Sequence, residues 1–491
     1  MYDKIAILCD LSELTIFKGI ILNMKKFFIF VSSLFISIST HAELNLDLPD
    51  LNLPDLGNNS PAFSSSSNKT SPGLKVLRRF RASGQLVEDP EVNNWIRSLG
   101  NRLTAQAANS STPFYFVVSR NEVVNAFATS GGVIVINTGL ILRTSTESEL
   151  AAVIAHEIAH LTQRHIPRML EKAKYNQLAS GAAMLAGVLA SKQDSQAGQA
   201  ILNTTMAAMA HKQMSFGREA EAEADRVGLR ILARAGFNPK GMPAFLQKLE
   251  QISDDSRNAE IREFLQNHPL TYKRVSDTNE RARKMGNFRG KENISYLYMR
   301  EKLRALTNSR ISRPDSIPHA IKKYSSSFQQ KQRRNYPAAI KTLGHKTNNI
   351  SEAILIAQLF NKQRQYQKTI KVLTPLLRIY PADEALSMPL AQAYISLGQV
   401  HEAARILNEI TISEQSSLEL FEVKQEVARL SGSRFSGFRA AAEKNIRTGN
   451  YKSARIQLRQ AIKSPGANAN ELREMQRLLT QLKQKKDKRN N

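Results

Sequence analysis

Two histidines four residues apart with a glutamate beside the first, His156-Glu157-Ile158-Ala159-His160, are the residues of this chain best suited to chemistry. On an α-helix, positions i and i+4 lie on one face, one turn apart, so two imidazoles there can converge on one ion. Glu157 projects next to them, within reach of a water on that ion. A site of this kind needs neutral nitrogen ligands, a base that does not itself ligate, and an open coordination position. Zinc brings the pKa of its water down to about 7, where a carboxylate can take the proton. The pentapeptide supplies two ligands and the base. Histidine is scarce, nine residues in 491, so a chance spacing is a poor account of the motif.

A third protein ligand is required, and Glu221-Ala222-Glu223-Ala224-Asp225 offers candidates on a second expected helix. Glu221 and Asp225 are i and i+4 and share a face. One can ligate zinc while the other orients a histidine ligand from behind. Glu219 and Glu223 are expected on the solvated face.

The elements that must position these groups are legible from apolar periodicity. Asp89-Pro90-Glu91 reads as an N-cap and first turn, opening a helix that carries Val92, Trp95, Ile96, Leu99 and Leu103. Residues 113–118 read as a buried strand. Gly131-Gly132 turns the chain into a second strand, Val133 to Asn137. Ser148 and Glu149 lead into a long helix starting near Leu150, with Val153, Ile154, Ile158 and Leu161 on its apolar side. Residues 178–210 are rich in Ala, Gly, Met and Leu, and too short on either side of Lys192-Gln193-Asp194 to span a membrane. They read as a helical hairpin in the core or over the site; a peripheral membrane contact is the alternative.

HExxH followed some sixty residues later by ExxAD resembles the M48 family of zinc metallopeptidases, a gluzincin-type group. Asn125-Ala126-Phe127-Ala128 and the strand at 131–136 are similar to the family as well. The resemblance implies that Glu221 is the third zinc ligand beside His156 and His160, with one Zn²⁺ per chain. It implies that Glu157 is catalytic and that Asp225 orients the site or donates a proton. Strand 131–136 is expected to be the edge on which an extended substrate adds. His268-Pro269-Leu270, with Arg274 following, resembles a further family feature: His268 would be a fourth ligand or substrate contact, and Arg274 would stabilise the developing oxyanion. A His268 in the water position would make the resting enzyme self-inhibited.

Beyond residue 300 the pattern changes to helix pairs that repeat. Ala357, Phe360, Thr369 and Leu373 are matched 34 residues later by Ala391, Tyr394, Ala403 and Leu407. Ala442, Gly449, Ala454, Leu458 and Ala461 form a third copy, and Tyr336, Ala339 and Leu343 a weaker one. That period, with small residues at helix crossings, is the tetratricopeptide signature.

Composition constrains the setting. The formal charge is +26, yet no nucleic-acid-binding signature accompanies it, so no nucleic acid is expected as partner. The single cysteine, Cys9, lies upstream of an expected cleavage site, which excludes thiolate ligands and a cysteine nucleophile from the mature chain. Met24-Lys25-Lys26, the apolar run Phe27 to Ile38 and Thr40-His41-Ala42 read as a cleavable signal peptide with Met24 as the true start.

The expected organisation is therefore a leader and signal peptide at 1–42, a flexible segment at 43–73, a metallopeptidase domain at 74–290, a tetratricopeptide array at 300–482 and a charged, frayed tail at 483–491. The fold class is α+β, mostly helical with a small sheet, followed by an all-α array. Taken whole, the chain is similar to a periplasmic branch of the family in Gram-negative bacteria. That branch implies an endopeptidase degrading misfolded or misassembled outer-membrane β-barrel proteins and assisting their assembly, with the array meeting substrate or the assembly machinery. The alternative is a repeat-based chaperone or adaptor whose protease site is gated.

Overall fold

The structure, a computed structural model, describes residues 72–107, 113–129, 131–171, 217–253, 259–286, 288, 293–311, 317–344 and 349–487. The expected leader, almost all of the expected flexible segment and the stretch 178–210 lie outside the described residues.

Helix α1 (Pro72–Ala82) is followed by α2 (Pro90–Thr104), whose N-cap is Asp89, accepting from the amides of Glu91 and Val92. Three strands follow: β1 (Tyr115–Ser119), β2 (Ala126–Ala128) and β3 (Val133–Asn137). Pro113 has no N–H to give to a ladder, and pairing begins only at Tyr115, which donates to Gly132 O at 2.9 Å. The sheet order is β1-β3-β2, with β3 parallel to β1 and antiparallel to β2. This corrects the expectation that strand 131–136 is a free edge. All five residues of β3 are buried, and both its sides are paired. The edge next to the HExxH helix is instead β2.

After the short α3 (Thr138–Arg143), helix α4 (Glu147–Thr162) carries the HExxH motif. It starts three residues before the expected Leu150. Thr146 is the N-cap, its Oγ1 accepting from Glu149 N–H at 3.1 Å, while Glu149 Oε2 accepts from Ser145 N–H at 2.8 Å. Every residue from Glu147 to Ala159 is buried, as suits a helix running through a core rather than over it. Arg164, at φ 55°, breaks the helix, and a short helical stretch, α5, resumes over residues 165–171. The second motif lies on α6, residues 217–234. Then come α7 (Gly241–Ser253), α8 (Ala259–Asn267), α9 (Tyr272–Lys284) and α10 (Ile294–Leu306).

Ten more helices follow among the described residues: the pairs α11 (His319–Gln332) and α12 (Tyr336–Leu343), α13 (Ile350–Lys362) and α14 (Tyr366–Ile379), α15 (Glu384–Ser396) and α16 (Val400–Glu409), then α17 (Leu418–Leu430), the pair α18 (Arg434–Arg447) and α19 (Tyr451–Lys463), and α20 (Ala469–Asp487). Repeat positions Ala357, Ala391 and Ala442 are fully buried, as are Ala339, Thr369, Ala403 and Ala454. Arg334, Arg364, Gly398 and Gly449 all take positive φ at the matching turn. At two of these turns an arginine stands in the left-handed region that glycine fills without strain. The third copy falls further along than 34 residues because helix α17 intervenes. Lys483 to Asp487 continue α20 rather than fraying, in keeping with the good helix propensity of Lys and Gln.

One hydrophobic cluster runs from Val87 through the sheet and α4 to Phe360, so the first repeat helices share their core with the metal-site elements. Further on, the array touches the sheet side again. Gln415 Nε2 donates to Phe116 O at 2.6 Å, Arg81 Nη1 to Glu414 O at 3.0 Å and Asn94 Nδ2 to Asp383 Oδ2 at 3.1 Å. No helix among the described residues is long and apolar enough to cross a membrane.

Candidate metal centre

Helix α4 presents His156 and His160 one turn apart, as their spacing requires, with the Nε2 atoms 2.9 Å apart. Helix α6 delivers Glu221 opposite them. Its Oε2 is 3.3 Å from His156 Nε2, and its Oε1 is 3.2 Å from His160 Nε2. Close approach of the two helices depends on Gly228, where a Cβ would lie 3.1 Å from His156 Cα. His268, at the end of α8, adds a fourth donor: Nδ1 stands 3.3 Å from His156 Nε2 and 3.1 Å from Glu221 Oε1. Donor atoms of these four residues all lie within 4.8 Å of one another.

This geometry fits a cation. Zinc–nitrogen bonds of about 2 Å place tetrahedral donors about 3.3 Å apart, close to the spacings found here. Two imidazole lone pairs and a carboxylate aimed at one point need a positive charge between them. Glu157, buried at 3 % exposure, has an Oε1 without a hydrogen-bond partner, 3.4 Å from His268 Nε2. A buried, unpaired carboxylate oxygen beside a donor cluster is costly unless the site uses it.

Asp225 stands behind His156, its Oδ1 3.0 Å from Nδ1. Arg274, in the first turn of α9, clamps Asp225 with two nitrogens, Nε to Oδ2 at 2.7 Å and Nη2 to Oδ1 at 2.9 Å. Its Nη1 donates to Pro269 O at 3.0 Å and lies 2.9 Å from Glu221 Oε2. The structure therefore departs from the expectation for Arg274 as an oxyanion donor: its donors are directed to carboxylates and a backbone carbonyl, holding the centre from behind.

Electrostatics separate the groups. Burial alone would push His156 down, but the Glu221 charge and hydrogen bonds with Asp225 and Glu221 hold it up at about 10. Burial pushes His160 down to about 3, against its hydrogen bond to Glu221. Burial raises the Glu157 carboxyl, opposed by the His268 and His156 charges. Glu221 is held well below the carboxylate range: burial pushes it up, but His156 and the neighbouring imidazoles outweigh that.

A model of peptidase family M48 matches residues 90–282, and a tetratricopeptide-repeat model matches residues 361–425. The chain is similar to the β-barrel assembly-enhancing protease of Yersinia pestis, 31% identical over 435 residues, which cover 85% of this chain and 89% of that protein. It belongs to peptidase family M48. The protein of the same name from Escherichia coli is 32% identical over 379 residues, 74% of this chain and 77% of that protein. The mitochondrial metalloendopeptidase OMA1 of Arabidopsis thaliana is 33% identical over 158 residues, 32% of this chain and 29% of that protein. M48 membership makes the chain a metalloendopeptidase, and the cluster of His156, His160, Glu221 and His268 is where its donors fit the family's metal ion.

Several contacts around this M48 centre were not foreseen. Phe264 packs on the His268 ring, centroids 5.0 Å apart. Asn125 Nδ2 donates to Glu263 Oε1 at 2.8 Å, tying the start of the edge strand to α8. Most consequential is His165, whose Nδ1 lies 2.9 Å from His160 Nδ1. Its partner Glu223 was expected on the solvated face; it is half-buried and bonded to His165 and Arg168. Glu219 is exposed, as expected. Five residues beyond His160, His165 would point away on an unbroken helix, and only the turn at Arg164 brings it back. A short His-to-His spacing was the one available signal.

Proposed function

We propose that this chain is a zinc endopeptidase of the Gram-negative periplasm that degrades misassembled outer-membrane β-barrel proteins and assists their assembly. One observation carries the catalytic part: His156, His160 and Glu221 converge on a point beside the buried Glu157 carboxylate, whose Oε1 has no hydrogen-bond partner. The cellular part is supported by the printed name of the relatives, by the repeat array, and by the leader-like composition of residues 24–42.

In this reading His156, His160 and Glu221 hold the ion. Zinc, when bound, supplies Lewis-acid polarisation of the scissile carbonyl and of a water. Glu157 would take the proton of the attacking water at its Oε1, which accepts no hydrogen bond, and return it to the leaving amine; burial raises its carboxyl, which favours holding that proton. Asp225 fixes the His156 tautomer by accepting at Nδ1, and Arg274 fixes Asp225. An extended substrate would add at the β2 edge, beside Glu157.

The second reading, a chaperone or adaptor with a gated protease, is favoured by one contact set. His268 sits among the ligands and against Glu157, where substrate would have to enter. Zinc content measured with casein hydrolysis, for the unmodified protein and for Glu157→Gln, separates the two. About one zinc in both, with hydrolysis lost by about 10²–10⁴-fold in the variant, is expected. Retained hydrolysis in Glu157→Gln would sink the assignment of the base. Zinc in both with hydrolysis in neither would favour the gated reading, with His268 as the gate.

A further inference from the structure

His165 belongs to neither sequence motif, yet it is buried at 4 % exposure directly behind a metal-site imidazole. Its Nδ1 is 2.9 Å from His160 Nδ1, and its Nε2 is 3.2 Å from Glu223 Oε2. That same Glu223 oxygen accepts from Arg168 Nη1 at 3.0 Å. A neutral imidazole carries one N–H and one lone pair. A carboxylate only accepts, so Glu223 draws the His165 proton to Nε2 and leaves Nδ1 as the acceptor. His160 must then donate from its own Nδ1. Its lone pair is then left on Nε2, 3.2 Å from Glu221 Oε1, an arrangement that a cation between the two would satisfy.

We infer that His165, anchored by Glu223 and Arg168, is a positioning residue that fixes His160 in the tautomer and orientation presenting Nε2 to the metal. The inference rests on the zinc reading above. The backbone places it there: Arg164 takes φ 55°, and that left-handed turn is what folds His165 under His160.

Zinc affinity by chelator competition, together with ¹⁵N imidazole spectra of the zinc-free full chain, tests this. His165→Phe fills the same space without an acceptor; His165→Asn places a carbonyl oxygen near the former Nδ1. The phenylalanine variant is expected to lose about 10–100-fold in zinc affinity. Its His160 signal should shift towards the Nε2–H tautomer, which faces Glu221, and the asparagine variant should recover most of both. Equal loss in the two variants would mark mere space-filling and overturn the inference. Unchanged affinity in both, with His160→Ala losing zinc, would overturn it while leaving the zinc reading intact. If His160→Ala binds zinc as tightly as the unmodified chain, the zinc reading itself falls. Should His165→Phe fail to fold, Glu223→Ala, at a half-buried position, decides: a several-fold affinity loss is expected, and no change overturns the inference.

Discussion

The imidazoles of His156 and His160 face one point from one helix, but what stands behind each differs. His156 meets a buried carboxylate directly: Asp225 accepts at its Nδ1 and is itself gripped by the buried Arg274. His160 meets a second imidazole, and the carboxylate, Glu223, comes only after it, paired with the largely exposed Arg168. Both chains end on an arginine; they differ by one ring and by their distance from solvent. In the zinc-free chain the direct carboxylate helps hold a proton on His156, while burial keeps His160 neutral.

Removing the acid from each arm should separate them most sharply. Asp225→Ala leaves a buried guanidinium with Glu221 as its remaining carboxylate partner, and the zinc-free protein should lose about 3–5 kcal/mol. Glu223→Ala breaks a half-exposed pair and should cost about 0–1 kcal/mol. Chemical denaturation of chelator-treated protein measures both, and equal losses would collapse the distinction.

A pH series on the same zinc-free protein separates the arms by sign. His156 titrates at 6.5 when unfolded and about 10 when folded, so its contribution is complete below pH 6.5 and is lost as pH rises through about 10. His160 runs from 6.5 down to about 3. Below pH 6.5 the unfolded chain takes up a proton the fold refuses, and stability is lost as pH falls towards about 3. His156→Phe should flatten the alkaline limb of the melting-temperature profile, and His160→Phe should lessen the slope of the acid limb. If the two variants flatten the same limb, the assignment of the proton to His156 is wrong.

A more local effect is expected at Gly228. Gly228→Ala places a Cβ 3.1 Å from His156 Cα and forces α4 and α6 apart by a few tenths of an ångström, at a cost of about 1 kcal/mol. His156, opposite that contact, should feel it more than His160. A chemical-shift change confined to the His160 ring would contradict that.

What the sequence disclosed followed from regular geometry. His156 and His160, like Glu221 and Asp225, are i and i+4 pairs, and a straight helix is all the inference needs. Ala357, Ala391 and Ala442 were legible because a crossing helix leaves no room for more than a methyl. His165 was hidden because it depends on one left-handed residue, Arg164, which no periodicity announces. Glu223 was misplaced because one face of a helix says nothing about which neighbour meets the next. Strand β3 was taken for an edge from the family resemblance; its run of Val and Ile marks burial, but spacing does not say that β1 and β2, the two strands just before it, flank it on either side.

The contacts of Asp383, Glu414 and Gln415 with α1, α2 and β1 have a mechanical consequence. The array is stitched along its length to the body that carries the metal ligands, and its first helices grow out of the same core. It cannot swing as a free arm without tearing that seam. Load applied to its middle repeats is instead delivered to β1, and from there across β3 to β2, the edge beside the HExxH helix.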